Sequence, residues 1–238
     1  MLIAIPSKGR AGRVKTLKIL KNGVLFVPEY ERDDYVRVYG ERVVGVPSSV
    51  KGITATRNWV LDNCNDDWVV MVDDDVKVQG YFRLFESFAK TYSMTSEQWE
   101  REFIRMFDLT EQMNYRIWGV NTDGSLKGTF PYKPINFRTY VTASMMGIRN
   151  DTGIRFDERF KVKEDYEICL RCIKEDGGLA GIRYVYWVNS HWEDEGGCKD
   201  YRTHEVEEQA IEMLIKMYPG FIHRIARKNS EYTVSLSF

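Results

Sequence analysis

Residues 68–75 read Trp68-Val69-Val70-Met71-Val72-Asp73-Asp74-Asp75. A short apolar run rich in β-branched residues, closed abruptly by charge, describes a strand buried on both faces that ends at solvent. Upstream of it, residues 53–63 have helical spacing and residues 42–46 form another apolar strand. Residues 24–27 make a strand ended by Pro28, residues 14–20 a helix closed by Asn22-Gly23, and residues 2–5 a first strand. Strands and helices in alternation predict an α/β protein with a mainly parallel sheet, in which ligands bind beyond the carboxyl ends of the strands. Downstream, Thr95 and Gln98 form a capping box ahead of an amphipathic helix carrying Trp99, Phe103 and Phe107. Strands follow at 116–120, 140–148 and 182–188, with helices at 164–174, ended by Gly177-Gly178, and at 203–218. No repeat, low-complexity stretch or linker interrupts the pattern, so a single domain is expected.

The 238 residues suit that domain, and 34 Lys+Arg against 35 Asp+Glu leave no global basic field to attract a polyanion. Four cysteines are too few for a disulfide framework, and no apolar run approaches the roughly 20 residues that span a bilayer. A cytoplasmic protein without membrane contact is the expectation. Adjacent carboxylates at 73–75 repel one another, and a strand end tolerates them when a divalent cation, Mg2+ or Mn2+, neutralises the site. Alternation turns Asp73 and Asp75 the same way and Asp74 elsewhere. The competing reading is a solvated acidic turn. A hard cation held by two carboxylates completes its shell with water and phosphate oxygens, so donors for a diphosphate are also needed. The loop Pro6-Ser7-Lys8-Gly9-Arg10-Ala11-Gly12-Arg13 offers backbone amides and cations without the spacing of a Walker loop, and Arg57 lies near the same strand ends. Cys169 and Cys172 have no second pair for zinc and read as buried thiols.

With these residues placed, the chain resembles the GT-A-type nucleotide-sugar glycosyltransferases, whose fold is Rossmann-like. Asp73-Asp74-Asp75 matches that family's Asp-x-Asp motif, and Thr56-Arg57-Asn58 is similar to the segment that precedes it. Met145-Met146-Gly147-Ile148-Arg149, then Phe156-Asp157-Glu158-Arg159-Phe160, then Glu164-Asp165 with Arg171, resembles the acceptor-side block. The resemblance implies Asp165 as catalytic base and His191 as a further metal ligand beside Asp73 and Asp75. A His next to Trp192 is equally a packing residue. Pro6, Ser7, Lys8, Arg10, Arg57, Asp73 and Asp74 fall on the donor side, and Glu164, Arg149, Arg155 and Lys163 on the acceptor side. Residues 1–125 become the nucleotide-sugar half and residues 126–238 the acceptor half with a C-terminal helical tail.

A narrower resemblance rests on Ile5-Pro6-Ser7-Lys8-Gly9-Arg10, Trp118-Gly119-Val120-Asn121 and Gly196-Gly197. These are similar to the TET-associated glycosyltransferases of bacteriophages. That implies inverting transfer from a UDP-sugar, UDP-glucose or a relative, onto 5-hydroxymethylcytosine in DNA, inside the host cytoplasm. Phe130, Tyr132, Phe137 and Tyr140 are candidates to stack on an extrahelical base, against an ordinary core role. Transfer to protein or glycan, a sugar-phosphate nucleotidylyltransferase, and a nucleotide-binding module without catalysis are the alternatives; the nucleotidylyltransferase wants a longer Gly-rich basic loop than residues 7–13 supply.

Overall fold

Asp73 and its neighbours sit at the end of a strand in the middle of a large mixed sheet. The computed structural model describes residues 1–84, 89–122, 133–189, 203–227 and 230–236. In chain order the elements are β1 (Leu2–Pro6), β2 (Val24–Pro28), α1 (Arg32–Tyr39), β3 (Val43–Val46), α2 (Ile53–Asp62), β4 (Trp68–Val72), β5 (Val76–Leu84) and β6 (Ala89–Tyr92). They continue with α3 (Ser96–Gln112), β7 (Ile117–Asn121), β8 (Ile135–Asn136), β9 (Met145–Arg149), α4 (Glu164–Asp176), β10 (Ala180–Asn189), α5 (His204–Met217), β11 (Ile222–Arg227) and β12 (Ser230–Leu236).

The sheet order is β3-β2-β1-β4-β9-β7-β10-β5-β6, with β8 pairing β10. Following the pairings, β1, β2, β3, β4, β6, β7 and β10 run one way and β5, β8 and β9 the other. Mostly parallel strands of this kind need helices on both faces, and β4 records both burials. Val70 and Val72 pack with Trp99, Phe103, Phe107 and Trp118 beneath α3. Val69 and Met71 pack with Met146, Ile148, Ile168 and Cys169 beneath α2 and α4. A third cluster joins Phe160 and Leu170 to Ile211 and Leu214 of α5 and to Ile222 and Val234 of the β11–β12 hairpin. Among the described residues, no helix is long and apolar enough to cross a membrane.

The capping box at Thr95 and Gln98 is present, and Cys169 and Cys172 are buried free thiols. Three expectations change. The helix at 14–20 contracts to one 3-10 turn at Thr16–Lys18, because the amides of Lys15 and Thr16 donate to the Asp74 carbonyl instead of continuing a helix. The strand at 140–148 keeps only Met145–Arg149, since residues 140–144 are irregular and end in a turn at 143–144. The tail is a helix followed by a hairpin, with Ile222 and Val234 giving it an apolar face.

Gly147 marks the tightest crossing of the core. A Cβ there would lie 1.9 Å from Cε2 of Trp118, a rigid ring held by Phe103 and Phe107 on its own faces and edge. Gly147→Ala is therefore expected to destabilise the chain by about 2 kcal/mol through overpacking, read as a lower urea midpoint at unchanged slope.

Candidate functional site

The carboxyl ends of β1, β4, β7 and β10 meet on one rim of the sheet, and the acidic run is stitched into it by its backbone. Asp73 N–H donates to Ser144 O at 3.0 Å, Thr16 Oγ1 donates to Asp73 O at 2.6 Å, and Lys15 N–H donates to Asp74 O at 2.9 Å. Alternation then sends the side chains of Asp73 and Asp74 apart. Asp74 turns to the loop after β1, where it accepts from Ser7 Oγ at 2.5 Å and pairs with the Arg10 guanidinium. Tyr35 of α1 completes this layer, 2.8 Å from Ser7 Oγ and accepting from Arg10 N–H at 2.8 Å. Burial pushes the Tyr35 phenol up to about 12, so it remains a neutral partner. Asp74 thus braces the donor-side loop from beneath.

Asp73 faces the other way, but Asp75 is not separated from Asp74 as alternation predicts, because one Arg10 nitrogen meets both. Arg57, on the buried face of α2, lies 3.2 Å from Asp73 Oδ1, donates to Ala143 O at 3.4 Å, and pairs with Glu164 at the start of α4. Arg10 reaches Asp75 Oδ2 at 3.3 Å. A shift of register after Val188 brings Asn189 beside β5, and its Nδ2 donates to Asp73 Oδ2 at 3.3 Å. Burial drives Asp73 up to about 7 against the pull of Arg57, and raises Glu164 in the same way. Two oxygens, Asp75 Oδ1 and Asn189 Oδ1, are buried without a hydrogen-bond partner. Buried acceptors are rarely left unmet, and hard oxygens beside an ionisable carboxylate suit Mg2+ or Mn2+. The residues fit such an ion. Among the described residues no group of three His, Cys, Asp or Glu is gathered for a metal, so much of its shell would come from elsewhere.

Asp165 opens α4 next to Glu164. Its Oδ2 accepts from Tyr140 Oη at 2.5 Å and its Oδ1 from Tyr166 N–H at 2.9 Å. Burial holds the Tyr140 phenol well above its usual range, so it stays a donor. The stretch leading to α4 is fastened to α2: Thr54 Oγ1 donates to Phe160 O at 2.7 Å, and the Asn58 amide both donates to Phe156 O at 2.9 Å and accepts from Phe156 N–H at 2.8 Å.

Of the expected acceptor-side residues, only Glu164 lies here. Arg149 pairs in the sheet with Trp68, five residues before Asp73, which at about 3.3 Å per residue is roughly 16 Å away on the opposite rim. It binds Asp151 there, and Arg155 binds Asp62 at the far end of α2. Both had been placed by sequence order, which does not reveal that β9 runs antiparallel to β4. Lys163 is also removed from the surface: its side chain is 9% exposed and lies 2.7 Å from Glu207. Phe137 packs on Tyr115, and Tyr140 stacks on Tyr166. His191, Phe130 and Tyr132 lie outside the described residues. Tyr140, a candidate for base stacking, instead holds Asp165, while Tyr35 and Asn189 are site residues the sequence reading missed; the only trace of Asn189 in the sequence is its place at the end of an apolar strand.

A family model described as TET-associated glycosyltransferase matches residues 1–197. The chain belongs to this family. It is therefore a glycosyltransferase, and its architecture agrees with solved GT-A structures. The enzyme is similar to S. aureus TarS residues 1–349 in complex with UDP-GlcNAc, with TM-score 0.52 and 12% identity over 90% of this chain and 67% of that one. It is also similar to glucosyl-3-phosphoglycerate synthase from Mycobacterium tuberculosis in complex with phosphoglyceric acid, with TM-score 0.53 and 11% identity over 91% of this chain and 78% of that one. The same synthase in complex with Mn2+, UDP and phosphoglyceric acid gives TM-score 0.52 and 12% identity over 99% and 85%. A search of curated proteins returned no match.

The glycosyltransferase rim carries a stability cost that can be measured. Asp73 rises from an ordinary 3.8 to about 7, so the folded chain binds this proton more tightly than the unfolded chain. The group's contribution to stability is full below about pH 4 and is lost as pH rises through 7. Asp73→Asn keeps the shape without the charge. Without divalent ions it is expected to raise Tm by about 2–4 °C at pH 8 and hardly at all at pH 4, read by scanning calorimetry at both.

Proposed function

We propose that this glycosyltransferase transfers a sugar from a UDP-sugar, UDP-glucose or a close relative, to an acceptor hydroxyl by one inverting displacement assisted by a divalent cation. The observation that carries the reading is Arg57: one guanidinium touches both Asp73 at the end of β4 and Glu164 at the start of α4. That contact brings the candidate donor carboxylates and the candidate base, Asp165, onto one rim. The UDP-GlcNAc bound by TarS and the Mn2+ and UDP bound by the synthase support the choice of donor and ion.

Asp73 and Asp75 would hold Mn2+ or Mg2+, with the unmet Asn189 oxygen beside them and His191, two residues further on, as an additional ligand. When bound, the ion supplies Lewis acidity that offsets charge on the departing diphosphate. Ser7, Lys8 and Arg10 border the diphosphate on the donor side, with Pro6 ending the strand beneath them. Asp165 accepts the proton of the acceptor hydroxyl. The hydroxyl oxygen forms its bond to the anomeric carbon as the bond from that carbon to the diphosphate oxygen breaks, on the opposite face. Tyr140 and the Tyr166 amide hold the Asp165 carboxylate in place for this step.

The acceptor we assign is 5-hydroxymethylcytosine in phage DNA, which the family resemblance supports. One observation favours a second reading, a protein or glycan hydroxyl: Arg149 and Arg155 lie on the far rim and Lys163 is buried, so these cations do not form a phosphate-binding surface beside Asp165. Incubation with a panel of sugar nucleotides and hydroxymethylated or plain DNA, followed by nucleoside mass spectrometry, separates them. Glycosylated nucleoside from the hydroxymethylated DNA alone supports the first reading; nucleotide release with a glycan or peptide alone supports the second.

Two substitutions test the assigned roles. Asp75→Ala is expected to abolish Mn2+-dependent UDP binding in calorimetry while the protein stays folded, since it removes one of two carboxylates. Asp165→Asn keeps the shape and loses the basic oxygen, so UDP affinity should survive while transfer falls by roughly 10²-fold or more. Near-normal turnover would instead make Asp165 a helix cap.

A further inference from the structure

The family match ends at residue 197, before α5 and the β11–β12 hairpin. Yet this C-terminal unit is built onto the helix that carries Asp165. Phe160, Val162 and Leu170 pack against Ile211, Leu214 and Tyr218, and Tyr218 Oη donates to Glu167 Oε1 at 2.7 Å. At its edge Glu207 of α5 meets Lys163 at 2.7 Å, with the two side chains 9% and 10% exposed.

Lys163 is the cap of α4 and has φ 60 and ψ 23, the left-handed conformation that a residue with a side chain rarely adopts and occupies at a cost. Something must hold it there. The ammonium, fixed by Glu207, lies 5.4 Å from the centre of the Tyr166 ring. Tyr166 stacks on Tyr140 at 4.0 Å, interplanar angle 20°, and Tyr140 donates to Asp165. A continuous line of contacts thus runs from Glu207 through Lys163, Tyr166 and Tyr140 to the Asp165 carboxylate.

We propose that Glu207 is a positioning residue for glycosyl transfer: by holding Lys163 in its left-handed turn, the C-terminal unit sets the first turn of α4 and the direction of the Asp165 carboxylate. This rests on Asp165 acting as base in the reading above. Loss of a buried ion pair that only stabilised the fold would lower Tm and leave turnover intact at temperatures where the protein is folded. Positioning errors act on the chemical step, because small displacements of a reacting group cost rate steeply.

The test uses the full chain at least 15 °C below each variant's Tm, with UDP release and UDP affinity measured in parallel. Glu207→Gln is expected to lower kcat about tenfold with UDP Kd unchanged within about twofold. Amide hydrogen exchange should speed up at 163–168 and stay unchanged in β4. Glu207→Asp should recover part of the rate. Lys163→Gly supplies a residue that takes the left-handed turn freely, so in that background Glu207→Gln should have no further effect on kcat. Unchanged kcat and exchange in Glu207→Gln, a parallel loss of UDP affinity, or full additivity with Lys163→Gly would each overturn the proposal. Asp165→Asn, run alongside, separates the two ideas. If it retains full turnover the base assignment fails, while faster exchange at 163–168 in Glu207→Gln would still report that Glu207 holds the turn.

Discussion

The rim depends on keeping carboxylates together that would otherwise push it apart. Asp73, Asp74, Asp75, Glu164 and Asp165 converge there, and Arg10 and Arg57 are the guanidiniums set among them. Arg57 matters most, because its contacts come from three separate stretches: the end of β4, the turn before β9 and the start of α4. A buried arginine with only one of these partners would lose more to desolvation than it gained. With all of them it fixes the distance between two halves of the site. Charge still does not balance, and two features record it: burial pushes Asp73 up to about 7, and among the described residues Asp75 Oδ1 and Asn189 Oδ1 find no hydrogen-bond partner. Both follow from burying acceptors on a rim that supplies too few donors for them.

How far the sequence could be read follows from which forces are local. The apolar run at 68–72 and its acidic end identify β4 because an apolar run closed by charge is a local signal, whereas alternation does not carry past the strand end, where Arg10 of the β1 loop meets both Asp74 and Asp75. The capping box and the stripe Trp99, Phe103, Phe107 are local as well. Helix α1 left no such mark, since Tyr35 is its one fully buried residue and its apolar positions are split between half-buried Val36 and Tyr39 and exposed Val38. The rim residues that sequence order misplaced, Arg149 and Arg155, went wrong for a non-local reason, the reversal of β9 between two strands that run the other way. Asn189 needed a register shift against β5, which no periodicity encodes.

Lys163 shows how a side chain expected at the surface can lie in a buried ion pair instead. Its charge and its place beside Glu164-Asp165 suggest a surface contact. The backbone decides otherwise, because a left-handed cap points the side chain toward α5, where Glu207 is waiting. The interaction is long-range in sequence and invisible without α5, so only the folded arrangement distinguishes a ligand contact from an internal strut.

The same electrostatics constrains how a nucleic acid acceptor would approach. A cation held by Asp73 and Asp75, as proposed, would add positive charge, but the diphosphate of the donor would bring about as much negative charge with it. The excess of carboxylate on the rim therefore persists after donor binding, and Arg10 and Arg57 are already committed to Asp74, Asp75, Asp73 and Glu164. Phosphates brought close to Asp165 would meet repulsion with little to offset it, at distances shorter than the Debye length of about 8 Å at physiological salt. A base extruded from the helix avoids this, because its hydroxymethyl group reaches the carboxylate while the phosphates stay a nucleotide's length away. On a rim charged in this way, reach rather than groove binding is the geometry that would let DNA, if it is the acceptor, meet Asp165.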